Sequence, residues 1–515
     1  MNWQWENSIN YQRSFGDHFI SALAAYTMEH YYAESALITA WNFPNDLVTT
    51  LDASGTQIAS TAESSWSLLS SIFRLNYDYK TKYLLTGSIR RDGSSRFGSD
   101  RRWGYFPSVS AGWNITREEF FPKTKWLNNL KLRASYGITG NNNIGNYTWI
   151  ALLARADHNF GGSIIPGSTP SGISNTKLGW ERTREHNIGL DLSLFDGRLD
   201  FTFDYYKKIT TDMLWSVNIP ISSGYSSMWD NLGKVRNEGV EFSVSSKNIS
   251  GKDFNWSTDF NISFNRNKVL DLGNIDRIIN IIGFGAKNIT RVGDPMAQFW
   301  GFRLLGMFNT QEEINKSATY GTQLPGTPHW EDINKDGVID DKDMTVIGNP
   351  QPHFTGGISN RFTYKKWDLI VNMSYAYDFD VAATLESSTM NLGGIFNMDR
   401  EVLQRWKSPS EPGNGRVSNS FVQTNLDRDI ASSKFIYNVS YLKIQNLSLG
   451  YTLTNWHKIK QCRLSLSVQN PWLITNYKYG NPDVNRFGSS SLMQGVDEYD
   501  YPLTRIVQLG VTLTL

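Results

Sequence analysis

The chain has one cysteine, Cys462, among 515 residues. It can therefore close no internal disulfide and hold no four-cysteine zinc centre or iron–sulfur cluster of its own. That thiol falls at an apolar position of a strand read at 461–470, where it packs or meets lipid as a small hydrophobe. An excess of either charge is also missing: 50 Lys plus Arg stand against 49 Asp plus Glu, a net charge of +1, which gives no attraction for DNA or RNA. No run of about 18 apolar residues occurs, so no transmembrane helix is expected. A barrel strand is not excluded, because it shows lipid only alternate side chains. The start, MNWQWENSINYQ, lacks the basic flank and apolar core of a signal peptide. Neither Gly-x-Ser-x-Gly nor His-Glu-x-x-His occurs and the seven histidines scatter from His18 to His457, so no catalytic residue is assigned and no enzyme is expected. The run GFGAKN at 283–288 lacks the third glycine of a phosphate loop and precedes no helix-like segment. The acidic pair Asp191 and Asp200 is what 49 carboxylates produce by chance.

What is present favours pleated strands and turns: Gly 42, Tyr 24, Phe 27 and Trp 18. Strict alternation recurs and helical periodicity is nearly absent. Leu69, Phe73, Leu75, Tyr77 and Tyr79 alternate with Ser70, Arg74, Asn76 and Asp78, and the pattern resumes after Lys80-Thr81-Lys82. Ile188, Leu190, Leu192 and Leu194 lead to Asp196-Gly197, a dipeptide suited to a tight hairpin, then to Leu199, Phe201, Phe203 and Tyr205. The pattern predicts fifteen strands, near 2–14, 18–31, 66–79, 83–91, 105–115, 129–139, 181–194, 198–209, 236–248, 254–268, 353–364, 367–378, 439–453, 461–470 and 504–515. Short connections (15–17, 80–82, 195–197, 249–253, 365–366, 454–460) alternate with mostly long ones (32–65, 140–180, 269–352, 379–438, 471–503), and 116–128 is a medium-length exception on the turn side. Short periplasmic turns and long extracellular loops are the asymmetry of an outer-membrane barrel.

Aromatic residues flank the short turns: Phe15 and Phe19, Tyr79 and Tyr83, Tyr364 and Trp367. Such rings favour the headgroup level. A barrel predicts Phe73, Leu75, Tyr77, Leu190, Leu192, Phe201, Phe203, Leu369 and Val371 on a lipid face, with Arg74, Asn76, Asp78, Asp191, Asp200 and Asp368 on the lumenal one. A soluble sandwich or propeller also alternates, but several of these strands exceed ten residues, longer than soluble sheets use.

The runs RRDGSSRFG at 90–98, RRWGYFPSVSAGW at 101–113, LKLRASYGITGNNNIGNY at 130–147, LGWERTREHNIGLDL at 178–192, NLGKVRNEGVEF at 231–242, GDPMAQFWGF at 293–302 and YLKIQNLSLGY at 441–451 occur in that order. Together they make the chain resemble the SusC/RagA family of TonB-linked outer-membrane proteins of Bacteroidetes, over most of its length. The resemblance implies a 22-stranded barrel, an even number as such barrels have, closed by an amino-terminal plug. It implies import of oligosaccharides or peptides across the outer membrane of a Gram-negative bacterium, under a SusD-like surface lipoprotein as lid and driven by the TonB complex. The sequence departs from the pattern in showing no plug-like region and in ending on Leu515 rather than an aromatic, though Val507, Leu509, Val511 and Leu513 still alternate. The expectation is that residues 1–515 are the carboxy-terminal portion of such a barrel, strands eight to twenty-two, the TonB contact belonging to an amino-terminal region outside it. The runner-up is a surface glycan-binding β protein without transport.

Within the long connection 269–352, DINKDGVIDDKD at 332–343 has the spacing of a twelve-residue calcium loop. Asp332, Asn334, Asp336 and Asp340 offer oxygens at positions 1, 3, 5 and 9, Val338 a backbone carbonyl at 7 and Asp343 a carboxylate at 12. Gly337 permits the sharp turn, and Asp343 replaces the usual Glu, as in dockerin-type loops. A structural Ca2+ on the extracellular side, ordering a loop without a core of its own, is the expectation; a solvated acidic turn is the alternative. Trp180, Trp215, Trp229, Trp300 and Trp330 either stack on sugar rings or pack the loops, and no substrate-binding residue is assigned.

Overall fold

The computed structural model describes all residues except 49, 284, 391, 393–395, 421–430, 457–458 and 515. His457, the terminal Leu515, Phe284 of the glycine-containing run and part of the turn 454–460 thus lie outside the described residues. All fifteen expected strands form, and we label them in chain order: β1 (Asn2–Phe15), β2 (His18–Trp41), β3 (Thr56–Tyr79), β4 (Tyr83–Ser94), β5 (Trp103–Asn114), β6 (Leu127–Asn141), β7 (Glu181–Leu194), β8 (Leu199–Thr211), β9 (Lys234–Ser250), β10 (Phe254–Asp271), β11 (Phe354–Tyr364), β12 (Trp367–Ala383), β13 (Ile436–Trp456), β14 (Ile459–Thr475) and β15 (Ile506–Thr514). The chain divides into two compact units, one of residues 1–122, 131–188 and 207–234, the other of 123–130, 189–206 and 235–515.

In the first unit β1 to β6 pair antiparallel, each with the next. The turn between β3 and β4, three residues between the paired Tyr79 and Tyr83, puts Lys80 and Thr81 at positive φ, 53° and 54°, as tight hairpin turns do. Neither residue is glycine, so hydrogen bonds offset the strain: the Asp78 carboxylate accepts from the Thr81 N–H at 2.6 Å and the Asp17 carbonyl from the Lys80 N–H at 2.9 Å. β2 and β3 stay in register over 24 residues each, although β1 leaves β2 at Tyr31 and β4 joins β3 only at Leu68. The expected loop 32–65 is therefore mostly hairpin. Its alternation is weak because no lipid face has to be kept there, while the paired backbone still satisfies its hydrogen bonds. The connection 140–180 likewise holds a hairpin, Leu153–Phe160 with Ser163–Pro170, turning at Gly161 and Gly162, both at positive φ. Below it a loop-side core gathers Phe97, Phe106, Ile144, Leu178 and Trp180.

In the second unit the order is β9-β10-β11-β12-β13-β14-β15. The connection 269–352 is not a bare loop. It contains a four-stranded sheet (Arg277–Ile281, Lys287–Arg291, Gln298–Gly301, Thr345–Gly348), the pair Leu304–Met307 with Pro328–Trp330, and a short helix, Gln311–Lys316. Phe302, Trp330 and Ile339 form its core. This corrects the expectation of a loop without a core: its strands are too short, at three to five residues, for alternation to reveal them. A further core joins Ala376, Phe379, Val381 and Val439 of β12 and β13 to Tyr477.

Candidate functional site

Register converts the sequence alternation into two chemically different faces. In the second unit Trp256, Phe362, Leu369, Leu449, Leu466 and Leu509 stand opposite one another in a single row across β10 to β15. One residue along, on the other face, the row reads Asn255, Thr363, Asp368, Gly450, Ser465 and Gly510. The turn-side row is aromatic on four neighbouring strands: Phe254, Tyr364, Trp367 and Tyr451. The first unit repeats this. Tyr11, Ala22, Leu75, Gly87, Val109 and Tyr136 share one face, and Gln12, Ser21, Asn76, Thr86, Ser110 and Ser135 the other. Its turn-side row is Phe15, His18, Tyr79, Tyr83, Trp113 and Leu132. Phe19 is not part of it; its partners Ser14 and Asp78 place it on the polar face.

The predicted sets separate accordingly. Phe73, Leu75 and Tyr77 share the apolar face, Arg74, Asn76 and Asp78 the polar one. Leu369 and Val371 oppose Leu449 and Leu447. The Phe201 ring lies 5.8 Å from that of Phe242 on β9, with Phe203 two residues along on the same side of β8; Leu190 and Leu192 alternate with Asp191 along β7, as Phe201 does with Asp200 along β8. On the polar face the Asp368 carboxylate takes two hydrogen bonds from Arg463, at 2.5 and 2.8 Å. These residues sit on β12 and β14, and the pair spans β13 where Gly450 lies: a Cβ there would collide with the Arg463 guanidinium. Cys462, between Leu453 and Leu513 on the apolar face, is buried.

The loop 332–343 folds on itself. Asp332 accepts the N–H groups of Lys335 and Gly337 at 2.7 and 2.9 Å, Asn334 that of Asp336 at 2.9 Å, and Asp336 that of Val338 at 3.0 Å. Gly337 has φ of 85°. Asp343 is fully buried and accepts from the N–H groups of Ile333, Asn334 and Asp340. The Lys342 N–H, then its ammonium, hold the Asp340 carboxyl below the usual carboxylate range. Among the described residues no three His, Cys, Asp or Glu side chains converge as a metal-binding group.

A network that sequence reasoning missed lies between the connections after β12 and β14. Glu386, with no exposure, accepts from the Tyr437 and Tyr479 hydroxyls and pairs with Lys478 and, at 3.3 Å, with Arg416. Glu401 pairs with Arg416 at 3.0 Å and Lys478 at 2.8 Å. Burial lowers the proton affinity of Lys478, yet Glu386 and Glu401 outweigh it and raise the ammonium above its ordinary range. Burial, then Glu386, pushes the Tyr479 phenol upward. No spacing marks these residues, which come from five separate stretches of chain; the YKY run at 477–479 was the only local cue. Of the loop tryptophans, Trp180, Trp215, Trp300 and Trp330 are buried and Trp229 packs against the Phe97 core. The four buried rings hold loops together and do not present a free face to a sugar.

Long antiparallel strands with one apolar face, one polar face and aromatic rows at the turns define an outer-membrane barrel protein. The chain belongs to the TonB dependent receptor-like, beta-barrel family, whose model matches residues 1–470. It is 32% identical over 569 residues to a TonB-dependent receptor of Formosa agariphila, covering 99% of this chain and 53% of that protein. It is 31% identical over 467 residues to the TonB-dependent receptor SusC of Bacteroides thetaiotaomicron, covering 87% of this chain and 44% of that one. The structure of the RagAB peptide transporter superposes with a TM-score of 0.83 at 25% identity, covering 99% of this chain and 55% of that chain. The open-open state of the RagAB peptide importer gives 0.84 at 25% identity, with 100% and 54% covered. The chain thus spans about half the length of the relatives it matches.

Proposed function

We propose that the chain forms part of the outer-membrane barrel of a TonB-driven importer of oligosaccharides or peptides, capped by a SusD-like surface lipoprotein. The observation that carries this reading is the unbroken apolar row from Trp256 to Leu509, backed one residue away by Asn255 to Gly510. Lipid requires the first and an aqueous path the second. Similarity to the RagAB peptide transporter supports the peptide class; the oligosaccharide class follows from the resemblance of the sequence to the SusC/RagA family. Deleting the gene in its own host, or removing TonB, is expected to abolish growth on one cargo class, and the protein should leave the membrane only with detergent. Release by alkaline wash, with glycan binding intact and uptake unaffected, would establish the surface glycan-binding alternative instead.

For the loop 332–343 the proposal is one structural calcium ion held by Asp332, Asn334, Asp336, Asp340 and Asp343 with the Val338 carbonyl. Motif spacing and the positive φ of Gly337 support it. Because the surrounding region already has a core in Phe302, Trp330 and Ile339, the ion would brace a packed structure. Calorimetry on the detergent-solubilised protein should give a Kd of about 10⁻⁴–10⁻³ M, the range of extracellular calcium modules, lost in Asp332→Ala with Asp336→Ala. No heat of binding in the unaltered protein rules the ion out.

A further inference from the structure

On the loop side of the first unit, the polar face carries an arginine without a counter-ion. Arg96 follows the last residue of β4 by two positions, and its guanidinium lies 4.8 Å from the centre of the Trp66 ring. Trp66 is thirteen residues from Tyr79, the turn end of β3; at about 3.3 Å per residue and roughly 40° of tilt it stands about 33 Å above the turns, beyond an apolar band about 25 Å tall. It opposes Tyr31, and the two keep the parity of Asn76 and Ser21, which puts both side chains on the polar face. Their rings stack at 6.0 Å and 20°. Water, not lipid, reaches this aromatic pair.

Local bonding holds Arg96 in place and leaves its charge unanswered. Its Nε donates to the Asn146 side-chain oxygen at 2.8 Å and its Nη1 to the Asn142 carbonyl at 3.4 Å, while Asn146 donates in turn to Ser64 at 2.7 Å. Among the described residues its Nη2 finds no acceptor and no carboxylate comes within ion-pair distance of it. Glu29, two residues below Tyr31 on the same face, acts on it only through space. Partial burial lowers the proton affinity of Arg96, and the Glu29 charge offsets only part of that. A cation partly stripped of water, with donors to spare, favours an anion of two oxygens, because a bidentate carboxylate restores both charge balance and hydrogen bonds. Trp66 fixes the guanidinium from one side. Tyr31, 38% exposed, extends the flat apolar surface beyond it. Rings beside a spare guanidinium suit a compact unit bearing a carboxylate, either a uronic acid of an oligosaccharide or an acidic residue of a peptide.

We infer that Arg96, with Trp66 and Tyr31, forms a subsite that selects carboxylate-bearing cargo at the loop-side end of the polar face. The inference rests on the importer reading, in which the polar face lines the aqueous path. Calorimetry on the natural-length protein in mild detergent compares two matched pairs of probes: a galacturonate tetramer against a galactose tetramer, and end-blocked Ala-Ala-Asp-Ala-Ala against Ala-Ala-Asn-Ala-Ala. In at least one pair the acidic member should bind about tenfold more tightly than the neutral one, as a charge-assisted contact implies, and that pair names the source of the carboxylate. R96Q should bring its two members to equal affinity, and R96K should keep part of the preference, since an ammonium retains the charge without the bidentate fork. Tyr31→Ala should weaken both members with the preference kept, and unchanged binding there overturns the part given to that ring. If Arg96 only braced the loop at 142–146, R96Q would weaken both members alike and preserve the preference, which overturns the subsite. Equal affinity within both pairs for the unaltered protein, or no binding of either acidic probe, overturns it as well. Where deletion of the gene still abolishes growth on a cargo, the importer reading survives that failure; where deletion abolishes none, both fall.

Discussion

Glu386 is a carboxylate with no solvent, surrounded by two cations and two phenols. A buried charge is tolerated only while its partners stay, and removing one partner of such a group costs about 3–5 kcal/mol. Glu386→Gln keeps the shape but leaves Lys478 and Arg416 facing one another, with Glu401 and the more distant Asp399, 4.0 Å from Lys478, to balance them. The expected result is faster proteolysis and hydrogen exchange in the connections after β12 and β14, with strand protection unchanged. Unchanged exchange there would show that the network does not hold the loops. The pH dependence has a definite sign. Lys478 is raised above its ordinary 10.5, so its contribution is complete below that pH and fades only as pH climbs through the still higher folded value. These residues were not legible in the sequence, because Glu386, Glu401, Arg416 and Lys478 meet only when two connections close on each other.

At the scale of elements, the alternation was legible wherever a strand has two unlike faces, and illegible elsewhere. β12 gives the sharpest test. Leu369 stands in the apolar row, whereas Ile370, equally hydrophobic, stands among Arg361, Ser448, Ser467 and Gln508 on the polar face. An arginine at the lipid face of a barrel costs about 2–4 kcal/mol near the bilayer middle. Met373→Arg, six residues above Trp367 on the apolar face, should accordingly lower folding stability in lipid by that order, while Asn372→Arg on the polar face should cost well under half as much. Urea titration in vesicles measures both, and equal losses would mean that the faces are not solvated differently. Long connections were misjudged for the complementary reason: the extended β2–β3 hairpin and the short strands within 269–352 pair through backbone hydrogen bonds, which leave no period in the side chains.

At the scale of the molecule, the sequence by itself determined the all-β class, the fifteen strands and the segregation of Phe73, Leu75, Tyr77, Leu369 and Val371 from Arg74, Asn76, Asp78 and Asp368. Each of these follows from a period of two residues written along the chain, a local property that lipid on one side and water on the other enforces. Only tertiary structure decided what the long connections do. It buried Trp180, Trp215, Trp300 and Trp330 that composition left open between stacking and packing, gave 269–352 a sheet and a core, and drew Glu386 to Lys478 and Arg416. It also hollowed a notch beside Trp103, where Trp3 and His30 in one cross-strand row meet Met28, Leu69, Gly93 and Trp103 in the adjacent one. Such meetings join positions tens to hundreds of residues apart, and their energy comes from burial and charge pairing that no local pattern encodes.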